Sequence, residues 1–226
     1  MKTVDKVLIL VLGIMMPVAL YCAFIYAPTE KIMGVVQRIF YFHVASAWTG
    51  LLSFFFVFLG AILYLWKKDP KYDRFSHSAV ELGVLFFTIV LITGPIWAKP
   101  VWGAWWTWDP RLTSTFVLWL IYVAYLLFRG SLKDHPAIRT YAAVYGIIGF
   151  VDVPIVWMSI HWWRTIHPKV ITPQKVDLDP RMWTSVLVCF ATLMILYAVF
   201  MRMRMRLEAF QEDVHLFREK IQEKEA

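Results

Sequence analysis

Six apolar stretches, at about residues 7–27, 44–66, 82–98, 113–129, 141–160 and 183–201, dominate this chain. Crossing a bilayer's hydrocarbon core takes about 20 mostly apolar residues per helix, and each stretch approaches or meets that length. With 60% of residues apolar and only 17% charged, a water-soluble domain would leave far too much apolar surface in water. The sequence therefore predicts an all-α, polytopic membrane protein. Residues 1–201 form one bundle of six transmembrane helices, and 202–226 a charged cytoplasmic tail. The first stretch is followed by "PTEK" without a small-residue cleavage site and reads as a retained helix, not a signal peptide.

Lys and Arg set the expected orientation. An N-terminus in the cytoplasm puts 15 of them on inner segments and 8 on outer loops, so both termini are expected inside. The net charge of +7 then reads as attraction to the anionic inner leaflet of the lipid bilayer, in part through "RMRMR" at 202–206, and makes no case for nucleic acid. The rest of the tail reads as a solvated helix or a frayed end. Cys22 and Cys189 both fall inside spans, which excludes a disulfide framework and a C-x-x-C pair. No phosphate loop is present, so any ATP used must be hydrolysed by another subunit. No catalytic residue stands out, and the chain reads as a binding and transfer protein, not as an enzyme in its own right.

This orientation puts a tryptophan-rich loop, at about 99–112, on the outer face. Its core, "VWGAWWTWDPRLTS" at 101–114, holds Trp102, Trp105, Trp106 and Trp108. The bland explanation is an interfacial aromatic belt, which predicts comparable belts at both faces. Instead Trp66 alone marks the inner end, while Trp97, Trp102, Trp105, Trp106, Trp108, Trp162, Trp163 and Trp183 crowd the outer one. A one-sided pile suits a platform for a large planar apolar ligand. "RIFYFHVASAW" at 38–48 and "SIHWWRTIHP" at 159–168 reach the same face and bring His43, His161 and His167. Two imidazoles from different segments can close on one haem iron from opposite sides. The competing reading for each histidine is a hydrogen-bonded structural residue at the interface. Zinc fits less well, because no closely set group of three or four ligands occurs here.

Arg111 and Arg164 suit haem propionates, since a guanidinium presents a planar fork to a carboxylate; Lys99 and Lys169 stand behind them. Asp109 fits the N-cap of the fourth helix, with Pro110 at its first position. Asp152 sits inside the fifth span, near Pro154. It is expected either to serve function or to bond carbonyls freed by a proline kink.

"WGAWWTWD" followed by "RLTS", with "QRIFYFHVASAW" and "WWRTIHP", resembles the tryptophan-rich haem-handling proteins of cytochrome c maturation, and the six-span layout resembles their CcmC branch. The resemblance covers about residues 37–170. It implies a protein that holds haem b at the periplasmic face of the bacterial inner membrane, with His43 and His167 as axial ligands. The platform falls on Trp102, Trp105, Trp106, Trp108 and Asp109, and His161 is a reserve ligand. The implied partners are the haem chaperone CcmE, ABC transporter subunits and a small membrane subunit of the same complex. Two positions depart from the branch's pattern: Ala45 stands where a proline is expected, and Asp152 where an amide is. A quinone-linked haem-b electron-transfer subunit is the alternative; it would place paired histidines deep within its spans, which this sequence lacks.

Overall fold

The computed structural model describes residues 2–133, 135–168 and 178–225. Among these the long elements are helices: α1 (Thr3–Tyr21), α2 (Ile39–Lys67), α3 (Pro70–Trp102), α4 (Pro110–Ser131), α5 (Ile138–Gly149), α6 (Asp152–Trp162) and α7 (Pro180–Glu225). Six segments are long and apolar enough to cross a membrane, with α5 and α6 together forming the fifth. The fold is an all-helical, multi-pass membrane bundle.

The helices outrun the apolar stretches that announce them. Hydropathy marks only the part suited to hydrocarbon, whereas a helix continues until a cap or a proline stops it. Thus α3, expected over 82–98, begins behind Asp69, whose carboxylate accepts from Lys71 N–H at 2.9 Å, with Pro70 in the first turn. It ends at Gly103, whose φ of 75° is the left-handed conformation that favours glycine. Likewise α7 runs unbroken past the last span to Glu225, so the tail starts as an extension of the bundle.

The central pair is α2 and α3, and two glycines let them meet. A Cβ on Gly50 would lie 2.4 Å from the ring of Phe87, and one on Gly83 would lie 2.4 Å from the ring of Phe54. Small residues that admit a neighbour's side chain are the usual means of close packing between membrane helices. Phe54 then stacks on Tyr122 of α4, with centroids 3.9 Å apart. Between α5 and α6 the fifth span breaks. Pro154 has no N–H to offer the Phe150 carbonyl, which accepts instead from Val153 N–H at 3.0 Å. Asp152 opens α6 at this break, yet its Oδ2 is buried with no hydrogen-bond partner among the described residues, so it does not bond the freed carbonyl as expected.

Opposite the tryptophans, the other end of the bundle is a lattice of ion pairs. Arg202 and Arg206 reach Asp5 at 2.7 and 2.6 Å, and Arg204 binds Glu81 and Glu208. The "RMRMR" run is therefore tied to carboxylates of its own chain, where the sequence suggested lipid headgroups. The reason is reach: the extension of α7 passes beside the ends of α1 and α3. Asp5 also places the first turn of α1 and residues 202–206 at one end of the bundle. His77, Glu81 and Glu208 bring ligand atoms within 4.8 Å of one another, and both carboxylates are already engaged by Arg204. Asp73, only 2% exposed, receives both arms of Arg129 at 2.7 and 2.6 Å.

Removing one partner of a buried ion pair leaves the other charge uncompensated. Asp73→Asn should lower the unfolding free energy of the detergent-solubilised protein by about 3–5 kcal/mol. Lys71→Ala, at an exposed pair, should leave the thermal midpoint unchanged. Equal midpoints for the two variants would contradict this account.

Candidate functional site

At the tryptophan end a cavity of about 330 Å³ opens between α2, α3, α4 and α6, with His43, Trp97, Trp102, Trp106, Arg111 and His167 in its wall. His43 lies about one turn into α2 and is buried, and its Nδ1 is 2.9 Å from Thr93 Oγ1 of α3. Trp97, one turn further along α3, has its ring centroid 6.0 Å from that of His43 and 6.4 Å from that of His167. One indole thus stands beside both imidazoles. Trp102, on the last turn of α3, is also 6.4 Å from His167.

His167 belongs to no helix, and one carboxylate puts it in place. Asp109 caps α4: its Oδ1 accepts from Arg111 N–H at 2.9 Å. The same Oδ1 accepts from the Thr165 hydroxyl at 2.8 Å, and Oδ2 accepts from Ile166 N–H at 2.9 Å. Thr165 Oγ1 in turn accepts from His167 N–H at 3.0 Å. The His167 ring has Nδ1 3.3 Å from the Pro168 carbonyl, which can only accept, so Nδ1 carries the proton. Burial, reinforced by the nearby Arg111 charge, pushes the pKa of His167 down to about 4. The ring is therefore neutral near pH 7, with its lone pair on Nε2.

Arg111 lines the cavity, and its Nη1 donates to the carbonyls of Val156 and Trp157. These are neutral acceptors, so the half-buried guanidinium keeps its charge available to an anion. Trp97 and Trp106 each have a buried indole N–H without a partner among the described residues. The cavity thus brings together imidazole nitrogens, unpaired indole donors, a half-buried cation and flat apolar walls.

The structure sorts the expected site residues. His43, His167, His161, Trp102, Trp106 and Arg111 meet at the cavity. Asp109 acts from behind the wall. Trp105 and Trp108, 58% and 75% exposed, stand outside it, although Trp108 packs edge-on against Trp106. Arg164 is exposed and does not line the cavity. Lys99 donates to the Gly103 carbonyl at 2.9 Å, and Lys169 lies outside the described residues. Sequence reasoning counted Trp97 among the outer-face tryptophans without placing it beside a histidine, and it did not name Thr93. Their one signal is a helical spacing of four that sets both on the face of α3 turned to His43.

The family model for CcmC, heme exporter protein C, matches residues 1–220. A ccmC-like mitochondrial protein of Marchantia polymorpha is 34% identical over 183 residues, covering 80% of this chain and 78% of that protein. A ccmC-like mitochondrial protein of Arabidopsis thaliana is 32% identical over 190 residues, with 84% and 72% covered. The heme exporter protein C of Escherichia coli K12 is 31% identical over 181 residues, with 80% and 74% covered.

Asp109→Ala removes both the α4 cap and the anchor of the segment before His167. The cap alone is worth about 1–2 kcal/mol. Trypsin should then cut after the exposed Arg164 faster than in the wild type, in step with a lower thermal midpoint. A cutting rate equal to that of the wild type would show that the segment is held by something else.

Proposed function

This chain belongs to the CcmC, heme exporter protein C, family of cytochrome c biogenesis, and on that premise we propose that it holds haem b in the cavity between His43 and His167 and passes it to a haem chaperone. The observation that carries the reading is Trp97, flanked by both imidazoles, with all three rings in the wall of one cavity. Bound haem would supply an iron with two axial positions and a pair of propionates. The residues fit that demand. His167 offers Nε2 as a neutral donor, and His43 lines the same cavity from α2. Arg111 is a half-buried cation whose side-chain hydrogen bonds go to carbonyls, and it suits a propionate in geometry and sign. Trp102 and Trp106 give apolar faces that exclude water, and their neighbour Asp109 keeps the His167 segment closed.

The exposed tryptophans have a separate part. Trp105, Trp108, Trp162 and Trp163 are between 48% and 75% exposed at the same end of the bundle. They form an aromatic collar suited to the chaperone CcmE and to the bilayer interface. ABC transporter subunits and a small membrane subunit complete the proposed complex, and ATP hydrolysis belongs to them. The proposed setting is the bacterial inner membrane, with the cavity on the periplasmic side and both termini in the cytoplasm.

The test is the visible spectrum of the protein purified from haem-replete cells, taken for wild type, His43→Ala and His167→Ala. A Soret band in the wild type that shifts or disappears in each variant is the expected result. Two variants with the wild-type spectrum, or a wild type left colourless even when co-expressed with its partners, would sink the two-histidine site.

A further inference from the structure

We propose that Thr93 is a positioning residue that fixes the tautomer of His43, so that Nε2 is the ring nitrogen offered to the cavity; the consequence for haem rests on the function proposed above. Thr93 Oγ1 lies 2.9 Å from His43 Nδ1 and 2.7 Å from the Ile89 carbonyl oxygen one turn back on α3. Two oxygens at the latter distance repel unless a hydrogen lies between them, and a carbonyl has none to give. The single hydroxyl proton of Thr93 is therefore spent on Ile89. A shift of that proton to Val90 O, at 3.4 Å, changes nothing, because that too is a carbonyl. Towards His43 the hydroxyl oxygen can only accept. Nδ1 must then carry the ring proton, which leaves Nε2 with its lone pair.

Other groups on α3 border the ring in that pose. A Cβ on Gly94 would sit 3.4 Å from His43 Cε1, so a larger residue at this position would press on the imidazole edge. Trp97 flanks the ring at 6.0 Å. Thr93, Gly94 and Trp97 thus form a seat on one face of α3. Hydroxyls on membrane helices commonly bond the carbonyl of the preceding turn, and here that bond orients the oxygen for a second use. The chain of donors, from imidazole to hydroxyl to carbonyl, also raises electron density on the ring and strengthens Nε2 as an iron ligand. The second histidine lacks such a relay: its Nδ1 meets the Pro168 carbonyl beside it in sequence, at 3.3 Å.

The deciding measurement is nitrogen NMR of the full-length, haem-free protein with ¹⁵N-labelled histidine, with His43→Gln used to assign the His43 signals. Wild type and Thr93→Ser should show His43 protonated at Nδ1 and bare at Nε2. Thr93→Val keeps the shape of the side chain but loses the acceptor, and the ring should relax to a mixture of tautomers. After haem loading, Thr93→Val should hold haem at least about tenfold more weakly, the usual cost of losing a partner behind a metal ligand. Its reduction potential should rise, because a less electron-rich imidazole stabilises ferric iron less. Thr93→Ser should show neither change, which separates the relay from a packing defect. A wild-type His43 protonated at Nε2, or a Thr93→Val protein with the wild-type ring signature, would overturn the proposal. If the wild type takes up no haem, the proposed function fails, while the NMR of the haem-free protein still decides the role of Thr93.

Discussion

The site depends on one carboxylate. Asp109 has two oxygens and serves three donors: the N–H of Arg111 at the start of α4, the Thr165 hydroxyl and the N–H of Ile166. The first fixes where α4 begins and hence where Arg111 points. The other two fasten a segment that has no helix of its own. A helix N-terminus, with unpaired N–H groups and a partial positive charge, is where a carboxylate is most readily accommodated. An aspartate there is favourable before it binds the second segment, and the cavity is closed by an anchor that the fold already needed.

The other fixed part is α3. It carries Thr93, Gly94, Trp97 and Trp102 towards the cavity, and Asp73, His77 and Glu81 into the ion-pair lattice at its opposite end. A charge near hydrocarbon is tolerated only with a partner, so each carboxylate in that lattice brings an arginine to a definite place. Glu212 shows the same logic, receiving Arg74 at 2.6 Å and Arg139 at 2.8 Å and so tying α7 to α3 and α5. The lattice sets the register of α3 within the bundle. That register decides which of its residues meet His43.

Much of this was legible in the sequence because the signals are sums or strict local rules. Apolarity summed over some twenty residues marks a span whatever the details. Asp109 followed by Pro110 announces a helix start by local chemistry alone, as the cap shows. Flanking histidines and a one-sided pile of tryptophans pointed to one face. Pairings between segments were not legible. "RMRMR" reads as a basic run until α7 is seen to pass Asp5 and Glu81. Trp97 reads as one more tryptophan of the outer pile, and Thr93 as one more hydroxyl bonded to its own helix, until α2 brings His43 beside them. Trp105, Trp106 and Trp108 all follow the end of α3 at Gly103, yet of these only Trp106 turns in to the cavity, a choice made by the course of the loop and not by composition.

The two histidines are held by different physics. His43 sits in a helix buried by its neighbours, and displacing it would disturb the contacts of α2 with α3. His167 hangs from a short segment fastened by the hydrogen bonds of Asp109 and Thr165 and flanked by exposed Trp163 and Ile166. Opening free energies within one fold range from near zero in loops to the global value in packed helices. The cavity therefore has one wall held by helix packing on the α2 side and one held by a few hydrogen bonds on the His167 side.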